Sequence, residues 1–381
     1  MENKDSGDDH RIRIREQFCF HDAGIRARNL CFIYGGGPQR QEQKKKLYTR
    51  FGQLELCKEH ILAKSPGSMS ISSFAQETMC FVGQQLVFEE AETVINSLTG
   101  SDFNAKQIER VCHLYGGMVD EEIRQAVTDG RHVEYSDQAR TEQHYLMVDG
   151  AMYPTRETGE PWREVKLGRV IRAGNILPLC KDRNFVDGST YVAHLGSAKE
   201  FFPRLEHEIE GLDNLVIVSD GAKWIWNWAD DLYPRARKIL DYFHAYEHLC
   251  EFARDCIHDE QVRRQWLDVQ REAFLEKDPE LVIKAIEQLR LDDKAAEKKR
   301  DNLLGYYRDN IERMRYRIFR GQGLFIGSGA IESAHKAVLQ ERLKLSGQHW
   351  SLDGLQKMAQ LRATYKSNRW HKIVEYAKNA A

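Results

Sequence analysis

This chain has no stretch near the roughly 18 consecutive apolar residues that a membrane-spanning helix needs, so a helical integral membrane protein is not expected. It carries eight cysteines, and none forms a Cys-x-x-Cys knuckle, so no structural zinc site is signalled and reduced, buried thiols are expected. The triple glycine Gly35-Gly36-Gly37 is not followed by Gly-Lys-Ser/Thr, which excludes a phosphate-binding loop of that kind. The first residues, Met1-Glu-Asn-Lys-Asp-Ser-Gly-Asp-Asp9, are polar and acidic, unlike a secretory signal, and point to the cytoplasm. A one-sided charge is also missing: the net value is −2.

What is present is an ordinary soluble composition. The 381 residues are 41% hydrophobic and 30% charged, enough for two or three domains with real cores. The charge is unevenly placed. Residues 11–50 carry a balance of +7 and residues 336–372 a balance of +6. Such segments neutralise phosphates or form solvated faces.

The periodicity divides the chain. Residues 1–60 read as a basic N-terminal arm. Residues 61–138 read as helical, with Ser72-Ser73 as a cap, Gly83 as a stop and a further break at Thr99-Gly100-Ser101. Helix, short turn, helix resembles a helix-turn-helix, in which Lys106, Gln107 and Arg110 of the second helix would meet DNA, with His113 beside them; a plain helical hairpin reads the same way. Residues 139–244 change to strand period. Runs at 144–149, 162–171, 190–195 and 215–219 are predicted strands, with a fifth at 237–241 and helices near 197–209 and 222–231. Residues 245–324 are charged and helical throughout, and residues 325–381 return to a buried turn and amphipathic helices. The expectation is an α/β protein: a ribonuclease-H-like mixed sheet with helices on both faces, interrupted by an all-helical insertion and preceded by an N-terminal helical domain.

Three acids stand at chemically suggestive places. Asp149 and Asp220 each close an apolar run and precede glycine, in Tyr145-Leu-Met-Val-Asp149-Gly150 and Leu215-Val-Ile-Val-Ser-Asp220-Gly221. Glu332 opens a helix after Gly327-Ser-Gly-Ala-Ile. Each Asp-Gly alone is the usual composition of a turn. Asp187-Gly188 is read as such a turn, and remains the rival to the pair. Together, carboxylates at two strand ends and on a helix are what a hard divalent cation takes as ligands, and two such cations serve phosphoryl transfer.

Several separate motifs then carry a resemblance. They are Met147-Val-Asp-Gly-Ala-Met-Tyr-Pro-Thr155, Trp162-Arg-Glu-Val-Lys166, Ser219-Asp-Gly-Ala-Lys-Trp-Ile-Trp226, Ile239-Leu-Asp-Tyr-Phe-His-Ala-Tyr-Glu-His-Leu249, Gly327-Ser-Gly-Ala-Ile-Glu-Ser-Ala334 and Arg342-Leu-Lys-Leu-Ser-Gly-Gln-His-Trp350. Leu361-Arg-Ala-Thr-Tyr365 and Arg369-Trp370 follow in order. Over roughly residues 140–370 the chain resembles a DDE-class insertion-sequence transposase of the ISKra type, a relative of Mutator-like transposases. The resemblance implies Asp149, Asp220 and Glu332 as catalytic acids and metal ligands, with two Mg²⁺ or Mn²⁺ ions per site. It implies that Asp241-x-x-His244 opens a helical insertion, with His244 near DNA. One departure is that no cysteine-rich, zinc-ribbon-like segment precedes the catalytic region.

Further candidates follow from position. His335 lies three residues after Glu332, on the same helical face, and reads as a metal-adjacent or DNA-phosphate contact or as a plain surface or core histidine. Lys336, Arg342, Lys344 and His349 are placed to hold DNA phosphates, or to form a solvated face. Trp224, Trp226 and Trp228 are read as packing between their helix and the insertion, or as platforms for an unpaired base. The expected partners are double-stranded DNA, as terminal inverted repeats and target, and a second copy of the chain in a homodimer or larger synaptic complex. The expected reaction is cleavage and joining of DNA strands. The alternatives are a ribonuclease-H-like nuclease or junction resolvase without joining, and a non-enzymatic DNA-binding descendant.

Overall fold

Cap chemistry places the first described helices. The computed structural model describes residues 44–49, 52–57, 71–180, 183–291 and 293–379, so most of the basic arm at residues 1–60 lies outside the described residues. Two strands of that region, β1 (Lys44–Thr49) and β2 (Gly52–Cys57), form a two-stranded ribbon that the sequence did not announce. Helices α1 (Ser73–Gly83), α2 (Phe88–Thr99) and α3 (Ala105–Thr128) follow. The Ser72 side chain accepts from Ala75 N at the start of α1, as its composition predicts. Gly100, at φ 64°, ends α2 in the left-handed region. Asn104 and Gln107 make a reciprocal capping box on α3.

A short α4 (Asp137–Thr141) leads into β3 (Gln143–Pro154). Then come β4 (Trp162–Arg172), β5 (Ile176–Cys180), β6 (Arg183–Val186), β7 (Thr190–Leu195), α5 (Ala198–Ile209), β8 (Asn214–Ser219), α6 (Lys223–Leu232) and β9 (Arg237–Leu240). The main sheet runs β7-β4-β3-β8-β9, while β5 and β6 form a separate hairpin. Strands β7, β4 and β3 are antiparallel; β3, β8 and β9 are parallel. The expected α/β class and mixed sheet are therefore present.

The first strand is longer than expected. It does not end at Asp149 but pairs with β4 out to Pro154↔Trp162. Gly150 keeps a negative or extended backbone and pairs with Lys166, so Asp149-Gly150 is strand and not turn. The absent side chain leaves room for Glu164: a Cβ on Gly150 would stand 2.0 Å from its Oε1.

The chain after β9 is helical. Helices α7 (Tyr242–Cys256), α8 (Glu260–Glu276), α9 (Pro279–Glu287), α10 (Lys294–Asp309) and α11 (Tyr316–Gly321) form the stretch read as an insertion. A turn through Gly327 then opens α12 (Gly329–Ala334), which passes through a π turn at His335–Gln340 into α13 (Glu341–Leu343). Helices α14 (Leu352–Lys366) and α15 (His371–Asn379) end the described chain. None of the described helices is long and apolar enough to cross a membrane.

Helix α14 solves an edge problem. β7 is an edge strand, whose open N–H and C=O groups invite foreign pairing. Leu195 N donates to Gln356 Oε1 at 2.7 Å, Gln360 Nε2 donates to Ala193 O at 2.8 Å, and Tyr191 N donates to Ser367 Oγ at 2.9 Å. The other side of α14 meets α3 so closely that a Cβ on Gly116 would stand 2.2 Å from Lys357 O. The helices at 71–128 are thereby packed into the same compact unit as the sheet.

Candidate active site

Strand register brings the acids together. Val148 pairs with Ser219, and Ser219 pairs with Leu240. The next residue on each strand is Asp149, Asp220 and Asp241. Paired residues point to one face of a sheet, so the three carboxylates rise side by side at one level. Helix α12 crosses this face and brings Glu332 to it. All four acids line one pocket of about 520 Å³, together with His244 and Ser328.

The fourth acid has a job of its own. Asp241 is 2% exposed, and both of its oxygens are engaged. Its Oδ1 accepts from Phe243 N at 2.8 Å, capping α7. Its Oδ2 accepts a short bond from the Ser328 hydroxyl. Tyr242 N also donates to Ile326 O at 2.8 Å. These bonds fasten the turn before Glu332 to the end of β9. Arg169 adds a clasp from β4, donating from Nη1 to Ala330 O at 2.6 Å.

The pocket's electrostatics are unfavourable to its own charges. Burial pushes the Asp149 carboxyl up to about 6; Gly150 N–H, donating at 2.7 Å, lowers it in part, and the Asp220 and Glu164 charges raise it further. A divalent cation would relieve that repulsion. Among the described residues no three His, Cys, Asp or Glu side chains are grouped as a ready ligand set. Asp149, Asp220 and Glu332 instead offer hard oxygens around an open pocket, a donor set that fits Mg²⁺, which keeps several of its waters.

Histidines flank the acids. His335 sits under Asp149, its Nε2 3.6 Å from Oδ2 and its Nδ1 3.5 Å from the Tyr153 hydroxyl. Burial pushes its imidazole down to about 4, so it is neutral near pH 7. His244 lines the pocket, with its Nε2 3.1 Å from His248 Nε2 on the next turn of α7. His248 stacks edge-on against Tyr306 of α10, and the Tyr306 ring lies where a Cβ on Gly221 would be, at 2.1 Å. The glycine after Asp220 therefore lets the helical stretch close over the acid.

The match to a family covers most of the chain. The model of Uncharacterised protein family UPF0236 aligns with residues 40–380. The chain belongs to that family. No match is found among curated proteins.

In this UPF0236 chain the other expected site residues scatter. Lys106 pairs with Glu109, and Gln107 is held by the capping box; neither they nor Arg110 lines the acid pocket. Lys336, Lys344 and His349 are exposed, and Lys344 lies over the Tyr153 and Trp162 rings. Two expected phosphate contacts are corrected. Arg342 is 1% exposed: its Nε donates to Gly83 O at 3.1 Å and its guanidinium packs on Phe88 and Trp350. His335 is buried beside Asp149, as described above. Within the basic segment 336–372, Arg342 and Arg362 are buried on main-chain oxygens and Arg369 pairs with the buried Glu208, while Lys357 and Lys372 make surface pairs with Asp353 and Glu122.

Trp228 stacks on Phe202 at 4.4 Å and Trp224 tilts against the same ring, so two of the three tryptophans pack on α5. Only Trp226 faces the helical stretch, under Arg313. Asp187 is exposed between β6 and β7, and is not part of the pocket lining. Sequence reasoning passed over the roles of Asp241 as a cap and of Ser328 as its donor. An acid directly before a helix, three residues before His244, was the available signal for the cap.

Proposed function

We propose that this UPF0236 protein is a DDE-type DNA transposase with a ribonuclease-H-like catalytic core. The observation that carries the reading is the placement of Asp149 and Asp220 at one level on adjacent parallel strands, with Glu332 lining the same pocket from a helix. The sheet order, three antiparallel strands followed by two parallel ones on the far side of β3, is the order such a core has. The helices from α7 to α11 fall between the second and third acid, as in the class the sequence resembles.

Asp149, Asp220 and Glu332 would hold two Mg²⁺ or Mn²⁺ ions. When bound, such ions polarise the scissile phosphoryl group and favour an attacking water or DNA hydroxyl. The chain's own residues do the rest. His335, neutral and buried, supports Asp149 from below. Asp241 and Ser328 hold α12 so that Glu332 faces the strand ends. The exposed Lys336 and Lys344 on the Glu332 segment approach the DNA backbone. The substrates are the terminal inverted repeats of the element and a target duplex, and pairing of two ends calls for a dimer or larger.

The test is a cleavage and joining assay with the full chain, Mg²⁺ or Mn²⁺, and DNA carrying the repeats that flank its gene. Nicked ends and joined products are expected, both lost in Asp220→Asn. Cleavage without any joined product would replace the reading with a nuclease or resolvase. DNA binding with no cleavage under either ion would replace it with a non-enzymatic descendant.

A further inference from the structure

Beside the acid pocket lies a second, apolar one of about 610 Å³, on the same side of the sheet. Its walls come from β3, from the β5–β6 hairpin and from the 325–330 turn. Phe243 lines both pockets and divides them. Its ring packs against the Gly327 backbone, where a Cβ would stand 2.6 Å from it, and meets the Tyr242 ring edge-on at 5.3 Å. Its own backbone is fixed by the Asp241 cap at 2.8 Å. Yet the residue is 65% exposed. A rigidly backed aromatic ring with an open face is a stacking surface. Phe185, 50% exposed, belongs to the same pocket. Asn184, exposed, also lines it, and its side-chain amide offers a donor and an acceptor for a polar edge.

We propose that this second pocket takes an unpaired nucleobase of the DNA strand whose phosphate lies in the acid pocket, stacked on Phe243. The inference rests on the reading of the acid pocket as a DNA site. The shared Phe243 wall argues for this occupant: a base attached to a phosphate held through cations at Asp149 and Asp220 has this ring on the wall between the two pockets. A paired base could not enter, because its edge and both faces are already used within the duplex. The chemistry is an aromatic platform with one exposed amide, which accepts any base and favours a strand that is frayed or distorted at the cut.

The test uses the full chain and a short single-stranded DNA carrying iododeoxyuridine at each position in turn, with Mg²⁺ present to seat the phosphate at the acids. Irradiation should cross-link the base to Phe243, located by mass spectrometry. Phe243→Ala should abolish that cross-link and weaken single-strand binding by about tenfold, while Phe243→Trp restores both. Since the ring is mostly exposed, its loss should leave the melting temperature near wild type. Absence of a Phe243 cross-link at every position, or single-strand affinity unchanged in Phe243→Ala, would overturn the inference. Binding and cross-linking need no cleavage. A chain that cross-links but never cuts retires the transposase reading alone; one that cuts without the cross-link retires the base pocket alone.

Discussion

Asp241 and Asp220 stand side by side in the sheet register, but only Asp220 keeps one oxygen without an internal partner, and isosteric amides separate their roles. In Asp220→Asn the Oδ1 that accepts from Ala222 N at 3.0 Å is kept, so folding should be unchanged. What is lost is negative charge in the pocket. At roughly 4 kcal/mol of charge stabilisation, strand cleavage should fall about a thousandfold. In Asp241→Asn the cap to Phe243 N survives, because Asn caps helices as well as Asp does. The amide then donates to the Ser328 hydroxyl, which turns from donor to acceptor. The cost is the charge assistance of one bond, about 1 kcal/mol, and cleavage should stay within roughly tenfold of wild type.

Asp241→Ala removes both functions of the side chain. The lost cap costs about 1 kcal/mol, and a buried Ser328 hydroxyl left without its acceptor costs about 1–3 kcal/mol more. A loss of about 2–4 kcal/mol by urea unfolding is expected, with cleavage falling as Glu332 loses its fixed turn. The assay is the pair of measurements on all three variants. If Asp241→Asn abolished cleavage as fully as Asp220→Asn while unfolding normally, Asp241 would be a participant in the chemistry and the capping argument would be refuted.

Three further outcomes follow from the packing. Gly221→Ala puts a Cβ 2.1 Å from the Tyr306 ring and should cost about 1–3 kcal/mol, with much of the loss recovered when Tyr306 is also made Ala; additive losses in a double-mutant cycle would contradict the contact. His194, whose ring nitrogens have no hydrogen-bond partner, is pushed down to about 4 by burial, with Arg204 adding to the shift and Glu200 and Asp120 opposing it. Its folded pKa lies below the unfolded value, so its stability contribution is intact above about pH 6.5 and is lost as pH falls toward 4, by about 1–3 kcal/mol; urea midpoints compared between wild type and His194→Gln should converge in that window. Arg342→Ala should destabilise by about 3–5 kcal/mol through its buried contacts, and Lys344→Ala should leave stability within about 0.5 kcal/mol but weaken DNA binding. Equal loss of DNA affinity at matched folded fraction in both variants would return Arg342 to the DNA surface.

The parts of this molecule that were legible in its sequence are those set by local pattern. Ser72 announces α1, alternation announces β4, and the apolar run ending in Asp220 announces the carboxyl end of β8. The pairing that aligns Asp149 with Asp220 has no local signal; it follows from the expected ribonuclease-H-like sheet, whose first and fourth strands lie side by side. What was not legible depends on partners far away in the chain. Asp149-Gly150 has the composition of a turn, and only the full length of β4 opposite it keeps the strand going. Arg342 has the composition of a phosphate contact, but Phe88, Trp350 and the Gly83 carbonyl internalise it. Gln107 has the composition of a base reader, yet the capping box with Asn104 lay three residues away in plain sequence.

The burial of Arg342 also changes what the charge distribution says about DNA. A balance of +6 over residues 336–372 reads as a phosphate-binding stripe when each cation is taken to be on the surface. In the folded chain, two of the eight cations hold main-chain oxygens inside and three more hold carboxylates. Lys336, Lys344 and Lys366 remain, and two of these lie on the Glu332 segment itself. A cation buried on main-chain oxygens, as Arg342 and Arg362 are, cannot also exchange counterions with DNA. The salt dependence of binding should therefore report far fewer contacts from this segment than its composition implies, with a slope reduced by about one for each of Lys336 and Lys344 replaced and unmoved by conservative changes at Arg369.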